Sequence, residues 1–458
     1  MTHILPIIQS MAATSSRKEK QAILEANSKN MFLARYLQVT YNPKYNFYLQ
    51  AIQGTKTPQD VPTLNFDGTF IEYFLQEIAG RRRTGGEARE FVESQYAFMS
   101  PDDRQLFAWM LNRDIKAGCG VSTFNKVWPG LIETVPYMRC SLPKHNNPKD
   151  WFEQEPGLLV FSQEKMDAMF ASLSTFDEED EHKVSIASRT GSPFPLDAFE
   201  DIVAHTKACF RNVQLHGELM VFDEDAQEYL AREKSNGYMN SMLQGGDINP
   251  KYKPRFVAWD IIPLFEAKAK GKYNMPYSGR FDALSVALSS VDMGASAGIL
   301  LVDNKMLGSY EELEAHYAEI VALGREGTVV KHPKTIWEDG TSLTQIKMKQ
   351  VCSVDLKIVG FNKGSGRLES TFGSLICETS DGALSVGVSG LSDDARKTIW
   401  DQKDSMLGKV VEIIGNKVMV PTEEGGKYSI FLPRFVEIRT DKTIADDLQK
   451  VIETFSKP

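Results

Sequence analysis

Lys165 and Asp167, two residues apart in EKMDAMF (164–170), are the first residues in this chain whose spacing could do chemistry. A lysine attacks an electrophile only as the free amine, and desolvation or neighbouring cations make that amine available. On an extended backbone both side chains would project from one face together with Gln163. Taken alone, the pair reads equally well as a solvated charge pair at a strand end. Other segments add groups of the same kind. Arg189 adjoins the turn of SRTG (188–191), and Glu218 lies in the otherwise apolar HGELMVFD (216–223). A lone carboxylate there is costly unless it meets a metal, a hydroxyl or water. REGTVVKH (325–332) offers Glu326 and Lys331. QIKMK (345–349) sets Lys347 and Lys349 on one strand face, where like charges call for an anion. RFVEIRTDK (434–442) supplies Arg434, Arg439, Asp441 and Lys442. Each of these has a plain surface-charge reading; their order along the chain is what gives them weight together.

The elements that must position these groups fall into three blocks. Residues 1–138 read as helical, because KEKQAILEANSKNMFLARYLQ and DRQLFAWMLNRDIKAG repeat apolar residues at three-to-four spacing. From 139 to 350, short β-type runs such as LLVFS, KVSIASR and RFVAWDIIPL alternate with helical ones such as SYEELEAHYAEIVALG. Beyond 351, VDLKIVGFN, TFGSLICETS, ALSVGVSG and KVVEIIG are short strands between Gly, Asp and Asn turns, the pattern of a small barrel or sandwich. The expectation is a multidomain α+β chain with domains at 1–138, 139–350 and 351–458.

Composition excludes several classes. The chain has 458 residues, 42% of them hydrophobic and 25% charged, which is ample for more than one buried core. No apolar run reaches the roughly 18 residues of a membrane span, and the N-terminus lacks the basic region of a signal peptide. Five scattered cysteines form no CxxC pair, which points to a reduced, cytoplasmic protein. The net charge of −9 is uneven: +3 for residues 1–140, −10 for 141–350 and −2 for 351–458. Acidic runs such as DEEDE (177–181) account for much of the central deficit. A polyanion partner is therefore compatible with the sequence, since local basic surface decides such binding.

In this order the segments resemble the motifs of the covalent Lys-AMP nucleotidyltransferases, the superfamily of DNA ligases, RNA ligases and capping enzymes. KMDA (165–168) resembles the nucleophile motif, and SRTG, HGE, FVAWD (256–260), EGTVVK, KMK and RTDK resemble the motifs that follow it. RDIKAGCGVSTFNKVWPGLI (113–132), REKSNGYMNSMLQG (232–245), VDLKIVGF (354–361) and FLPRFVEIRTDKT (431–443) resemble the ATP-dependent DNA ligases of T-even bacteriophages, as does KQAILEANSKN (20–30). The resemblance spans nearly the whole chain.

It implies a helical N-terminal DNA-binding domain, an ATP-grasp-like nucleotidyltransferase domain and a C-terminal OB-fold β-barrel. It also implies an ATP-dependent ligase that seals 5′-phosphate/3′-hydroxyl nicks during DNA replication, repair and recombination. Lys165 would carry AMP, with Asp167 at the ribose or reacting phosphates and Gln163 at the adenine amino group. Trp259 and Val329 would cover the two adenine faces. Glu218 and Glu326 would lie near Mg²⁺, for which Mn²⁺ can substitute. Lys331, Lys347 and Lys349 would bind the α-phosphate. Arg439, Asp441 and Lys442 would orient the pyrophosphate after a hinge closure about Gln350-Val351. Arg189, Arg232 and Asn236 would hold the nick ends. Arg113, Lys116 and Lys126 would grip duplex phosphates, with Gly118 and Gly120 allowing close backbone approach. The implied partner is nicked duplex DNA, bound by a monomer with no membrane, in the host cytoplasm if phage-encoded.

Two positions depart from the family pattern Lys-x-Asp-Gly-x-Arg: Ala168 replaces the glycine and Phe170 the arginine. If Phe170 is a deficit, Phe170→Arg should speed sealing or tighten nick binding. RNA ligases and capping enzymes share the central motifs but usually lack this combination of flanking domains. An NAD-dependent ligase would need a nicotinamide-recognition domain and usually a cysteine-rich zinc module. A DNA-binding relative without turnover is the non-catalytic alternative.

Overall fold

The computed structural model describes residues 4–49, 63–179, 181–243, 246–247, 249–294, 297–349, 352–421, 423 and 425–456. The expected bend at Gln350-Val351 lies outside them. By internal contacts the chain forms two compact units. One comprises Met1–Asn146, Leu159–Met306 and Lys331–Ile346, and the other Asn147–Leu158, Leu307–Val330 and Lys347–Pro458.

The first part of unit one is helical: Leu5–Ala12, Arg17–Ala26, Met31–Tyr41, Gly68–Phe74, Gly85–Phe98, Pro101–Leu111 and Val121–Val127, with a π turn at Leu75–Ala79. Polar caps set the helix starts. Ser16, Asn30, Asp67 and Ser100 each accept a backbone N–H from the first turn. Leu33, Leu37, Phe74, Phe107, Met110 and Phe124 are fully or almost fully buried in one shared core.

The rest of unit one is built on a sheet whose neighbouring strands are Glu181–Ser188, Met169–Glu178, Val213–Asp223, Tyr252–Pro263 and Ile299–Leu301, with Glu228–Tyr229 added beside Val213–Asp223. Its register is set by antiparallel pairing of Phe170 with Glu218 and of Glu218 with Val257. Gly217 is required by close approach, because a Cβ there would meet the Val257 carbonyl at 2.4 Å and the Phe256 ring at 2.5 Å. Separately, Met138–Ser141 runs parallel to the start of Gly340–Lys349, matching Met138 with Gly340.

In unit two a sheet is ordered Ser385–Val388, Phe372–Glu378, Cys352–Lys363, Val410–Gly415, Arg434–Ile438. Its first and last strands meet at one corner, where the Phe435 N–H donates to the Ser389 carbonyl at 2.8 Å. Leu356, Leu375, Val388 and Val411 fill the interior. No helix among the described residues is long and apolar enough to cross a membrane.

Candidate active site

The strand Val160–Glu164 stops one residue before Lys165, and the next begins at Met169. The extended continuation expected through Asp167 is therefore a short link between two strands. Alternation nevertheless persists: Met166 and Ala168 pack against the apolar cluster of Phe161, Met220, Val257 and Tyr277, while Lys165 is half-buried and Asp167 exposed. The link is pinned where the Ala168 N–H donates to the Glu218 carboxylate at 2.8 Å. Residues with positive φ include Arg113 and Lys116 but not Ala168. Its backbone is thus one that a Cβ tolerates, which accounts for alanine in place of glycine. Asp167 pairs with Arg232, so two groups 65 residues apart come together at the surface.

Behind the link, three sequence-nominated residues converge on Tyr277, which sequence reasoning did not single out. Its hydroxyl accepts from Gln163 Nε2 at 2.9 Å and from Lys331 Nζ at 2.9 Å, and donates to the Trp259 carbonyl at 2.7 Å. One donor and two acceptors exhaust a hydroxyl, so the node is saturated. Gln163, Lys331 and Tyr277 are almost completely buried. The Lys331 ammonium also lies 4.2 Å from the Tyr277 ring centroid and 6.0 Å from that of Trp259. Burial pulls the Lys331 amine down to about 7, only partly opposed by Asp260.

Asp260 anchors this region through Arg280. The guanidinium Nε and Nη2 donate to the two carboxylate oxygens at 2.7 and 3.0 Å, and Nη1 donates to the Met275 and Thr335 carbonyls. Burial alone would raise the Asp260 carboxyl, but Arg280 and then Lys331 outweigh it and hold the group below its ordinary value. Asp260 closes the quoted FVAWD, whereas Arg280 and Tyr277 carry no motif signal.

Phe170 is 8% exposed and meets Tyr137 edge-on with centroids 4.5 Å apart. It also meets His216 at 5.7 Å and Trp259 at 6.1 Å. Arg189 stacks over the same Tyr137 ring, its guanidinium 5.0 Å from the centroid. His216 is buried, and desolvation drives its imidazole down to about 4. Phe170 is thus a core residue of the site rather than an empty arginine position.

In unit two, Gly327 has φ +138 and an added Cβ would meet the Met348 carbonyl at 2.2 Å, so EGTVVK needs its glycine. Glu326 and Val329 flank that position half-buried, and Lys347 and Lys349 are half-buried on Gly340–Lys349. Lys349 Nζ reaches Asn416 Oδ1 at 3.4 Å. Arg439 donates through Nη1 to both Asp355 oxygens at 3.1 and 3.2 Å, and through Nε and Nη2 to Asp441 at 2.9 and 2.6 Å. Lys442 also pairs with Asp355. The Arg439 hydrogen bonds pull the Asp441 carboxyl down to about 2, while Asp441 raises Arg439 and Asp355 raises Lys442.

The helical nominees differ among themselves. Arg113 is half-buried, donates to the Asn42 carbonyl at 3.1 Å and lies 4.9 Å from the Phe47 centroid. Lys116 pairs with Asp114 at 2.7 Å, and Lys126 is exposed. Asn236 is half-buried on Arg232–Leu243, and its Oδ1 is a buried oxygen with no hydrogen bond. No group of three or more His, Cys, Asp or Glu that could hold a metal occurs among the described residues.

Residues 148–349 match the family model described as the ATP dependent DNA ligase domain. The chain is 29% identical to the DNA ligase of Enterobacteria phage T4 over 99% of both chains, and equally to that of Enterobacteria phage T6. Among solved structures, that named Pmar-Lig_Pre is similar with a TM-score of 0.66 and 18% identity, covering 96% of this chain and 99% of that one. This last likeness concerns the fold.

Proposed function

We propose that the chain is an ATP-dependent DNA ligase, as its likeness to that family supports, and that it seals 5′-phosphate/3′-hydroxyl nicks in duplex DNA through AMP carried on Lys165. The convergence of Gln163, Lys331 and Trp259 on the Tyr277 hydroxyl carries this reading. It ties the residue two before Lys165 to the aromatic and the cation that would meet adenine and α-phosphate.

In the first step Lys165 Nζ forms a bond to the α-phosphorus of ATP, and pyrophosphate leaves with the electron pair of the broken P–O bond. An oxygen of the nick's 5′-phosphate then attacks the same phosphorus and Lys165 leaves. Finally the 3′-hydroxyl attacks the 5′-phosphate and AMP departs. Such transfers need charge stabilisation and in-line placement more than covalent help. Lys331, Lys347 and Lys349 supply cations for the α-phosphate, and Arg439 and Lys442 for pyrophosphate. Asp167 and Arg232 serve the ribose and the nick end, and Arg189, which lies over the Tyr137 ring, serves the nick end as well. Val329 covers the adenine face opposite Trp259.

Glu218 and Glu326 are hard oxygen donors of the kind that hold Mg²⁺ with one or two carboxylates plus substrate phosphates. The ion supplies further charge neutralisation when bound. The domain reading follows the family: 1–138 grips duplex DNA, 139–350 carries the nucleotide, and 351–458 is an OB-fold. Lys116 and Lys126 serve phosphate contact, whereas the Arg113 guanidinium is engaged by the Asn42 carbonyl and the Phe47 ring. The protein acts as a monomer in replication, repair and recombination.

The test uses α-labelled ATP with Mg²⁺, followed by nicked DNA or nicked RNA. A labelled, acid-labile protein adduct that is absent in Lys165→Ala and discharged by nicked DNA is the expected result. An adduct only with GTP or NAD, an undiminished adduct in Lys165→Ala, or discharge only by RNA would overturn it.

A further inference from the structure

The C-terminal cluster is centred on a buried acidic residue that none of the nucleotide-contact motifs includes. Asp355 lies on the central strand Cys352–Lys363, and its carboxylate is 6% exposed. It takes Arg439 Nη1 on both oxygens and Lys442 Nζ on Oδ2. Its backbone is fastened as well. The Asp355 N–H donates to Asp446 Oδ2 at 2.9 Å, and the Asp446 N–H donates to the Asp355 carbonyl at 2.8 Å. The segment from Arg439 to Asp446 is therefore buttoned to one strand position by side chain and main chain together.

Exposure separates the two acids that hold Arg439. Asp441 is 63% exposed, whereas Asp355 is buried, and Lys442 keeps 43% of its side chain in solvent. Long cationic side chains lose rotamer freedom when fixed. A buried carboxylate that fixes two of them in advance removes that cost from the moment of reaction.

We propose that Asp355 is a positioning residue for the ATP-consuming step, holding Arg439 and Lys442 as a preformed pair for the departing pyrophosphate. The inference rests on the ligase reading and deepens it. As the Lys165 Nζ–phosphorus bond forms, the bond to pyrophosphate breaks and its electron pair goes to the leaving group. Arg439 and Lys442 meet that charge, and Asp355 touches neither nucleotide nor DNA. The later sealing step releases AMP rather than pyrophosphate and has no need of the pair.

The experiment compares two reactions of the full chain: single-turnover labelling of Lys165 by ATP, and sealing of a nick whose 5′-phosphate already carries AMP. Asp355→Asn keeps the shape and removes the charge. Labelling at saturating ATP should fall about tenfold or more, with pre-adenylated sealing within about twofold of the parent protein. Asp355→Glu restores the charge and should recover part of the labelling rate; it is judged on the same two reactions if the Asn variant does not fold. Equal loss in both reactions would make Asp355 a fold-holding residue and overturn the proposal, as would no loss in either. A parent protein that seals pre-adenylated nicks yet takes no label from ATP would sink the ligase reading instead.

Discussion

Two clusters in this chain use the same functional groups in opposite surroundings. Around Tyr277, the Asp260–Arg280 pair is 2% and 0% exposed, and Lys331 lies beside it with no direct carboxylate bond among those described. Around Asp355, Arg439 is 20% and Lys442 43% exposed, and both cations bond carboxylates directly. Desolvation governs the first cluster, so its lysine loses basicity. Direct pairing governs the second, so its cations gain basicity. The lesson is that a lysine's charge is conditional where solvent is excluded and secure where a partner acid is at hand. A site that must recognise a phosphate on arrival can use the first kind. One that must present fixed charge to a leaving group can use the second.

The largest expected effect breaks the buried cluster. Arg280→Met leaves Asp260 without its bidentate partner and should destabilise unit one by about 3–5 kcal/mol. Arg439→Met, at a more exposed position, should cost clearly less. Denaturant unfolding of the two variants measures the contrast, and equal losses would erase it. Phe170→Arg comes next. The side chain is enclosed by Tyr137, His216 and Trp259, so a guanidinium there would be buried beside Lys331, which already stacks on Trp259. The expected cost is about 2–4 kcal/mol, with slower rather than faster sealing. Sealing faster than the parent at unchanged stability would restore the view that Phe170 marks a deficit.

How much of this was legible in the sequence depends on the range over which each feature acts. Lys165, Glu218, Trp259 and Lys331 are legible because the local residue patterns KMDA, HGE, FVAWD and EGTVVK are themselves informative. Gly217 and Gly327 fit the same kind of reasoning, since a close approach of 2.4 Å or a φ of +138 admits no other residue easily. Tyr277 was illegible: it begins the helix Tyr277–Ser289 in an ordinary stretch, and its importance comes from partners 114, 54 and 18 residues away. Asp355 sat inside the quoted VDLKIVGF, but its partner Arg439 lies 84 residues on. Phe170 misled for the opposite reason. Its motif position suggested a missing charge, while its strand pairing with Glu218 and its ring contacts make it core.

The smallest effect is a pH slope, and it sharpens the comparison most finely. The unfolded chain keeps the Lys331 proton up to its ordinary 10.5, whereas the folded chain releases it above about 7. Between these values the unfolded state binds more protons, so stability rises with pH; below about 7 the burial penalty is constant. On the proposed role of Lys331, a phosphate beside the amine would favour its charged form, so nucleotide binding above pH 7 should take up a proton. In a Lys165→Ala background, which cannot form the adduct, ATP affinity should weaken by up to about tenfold per pH unit between 7 and 9. Titration calorimetry in buffers of different ionisation heat would register the proton uptake directly. Lys331→Gln should flatten the slope and abolish the uptake. Arg439→Gln should leave both unchanged, because its raised basicity keeps it charged throughout this range. A slope that survives Lys331→Gln would mean that burial does not control this lysine, and the distinction between the two clusters would fail at its most specific point.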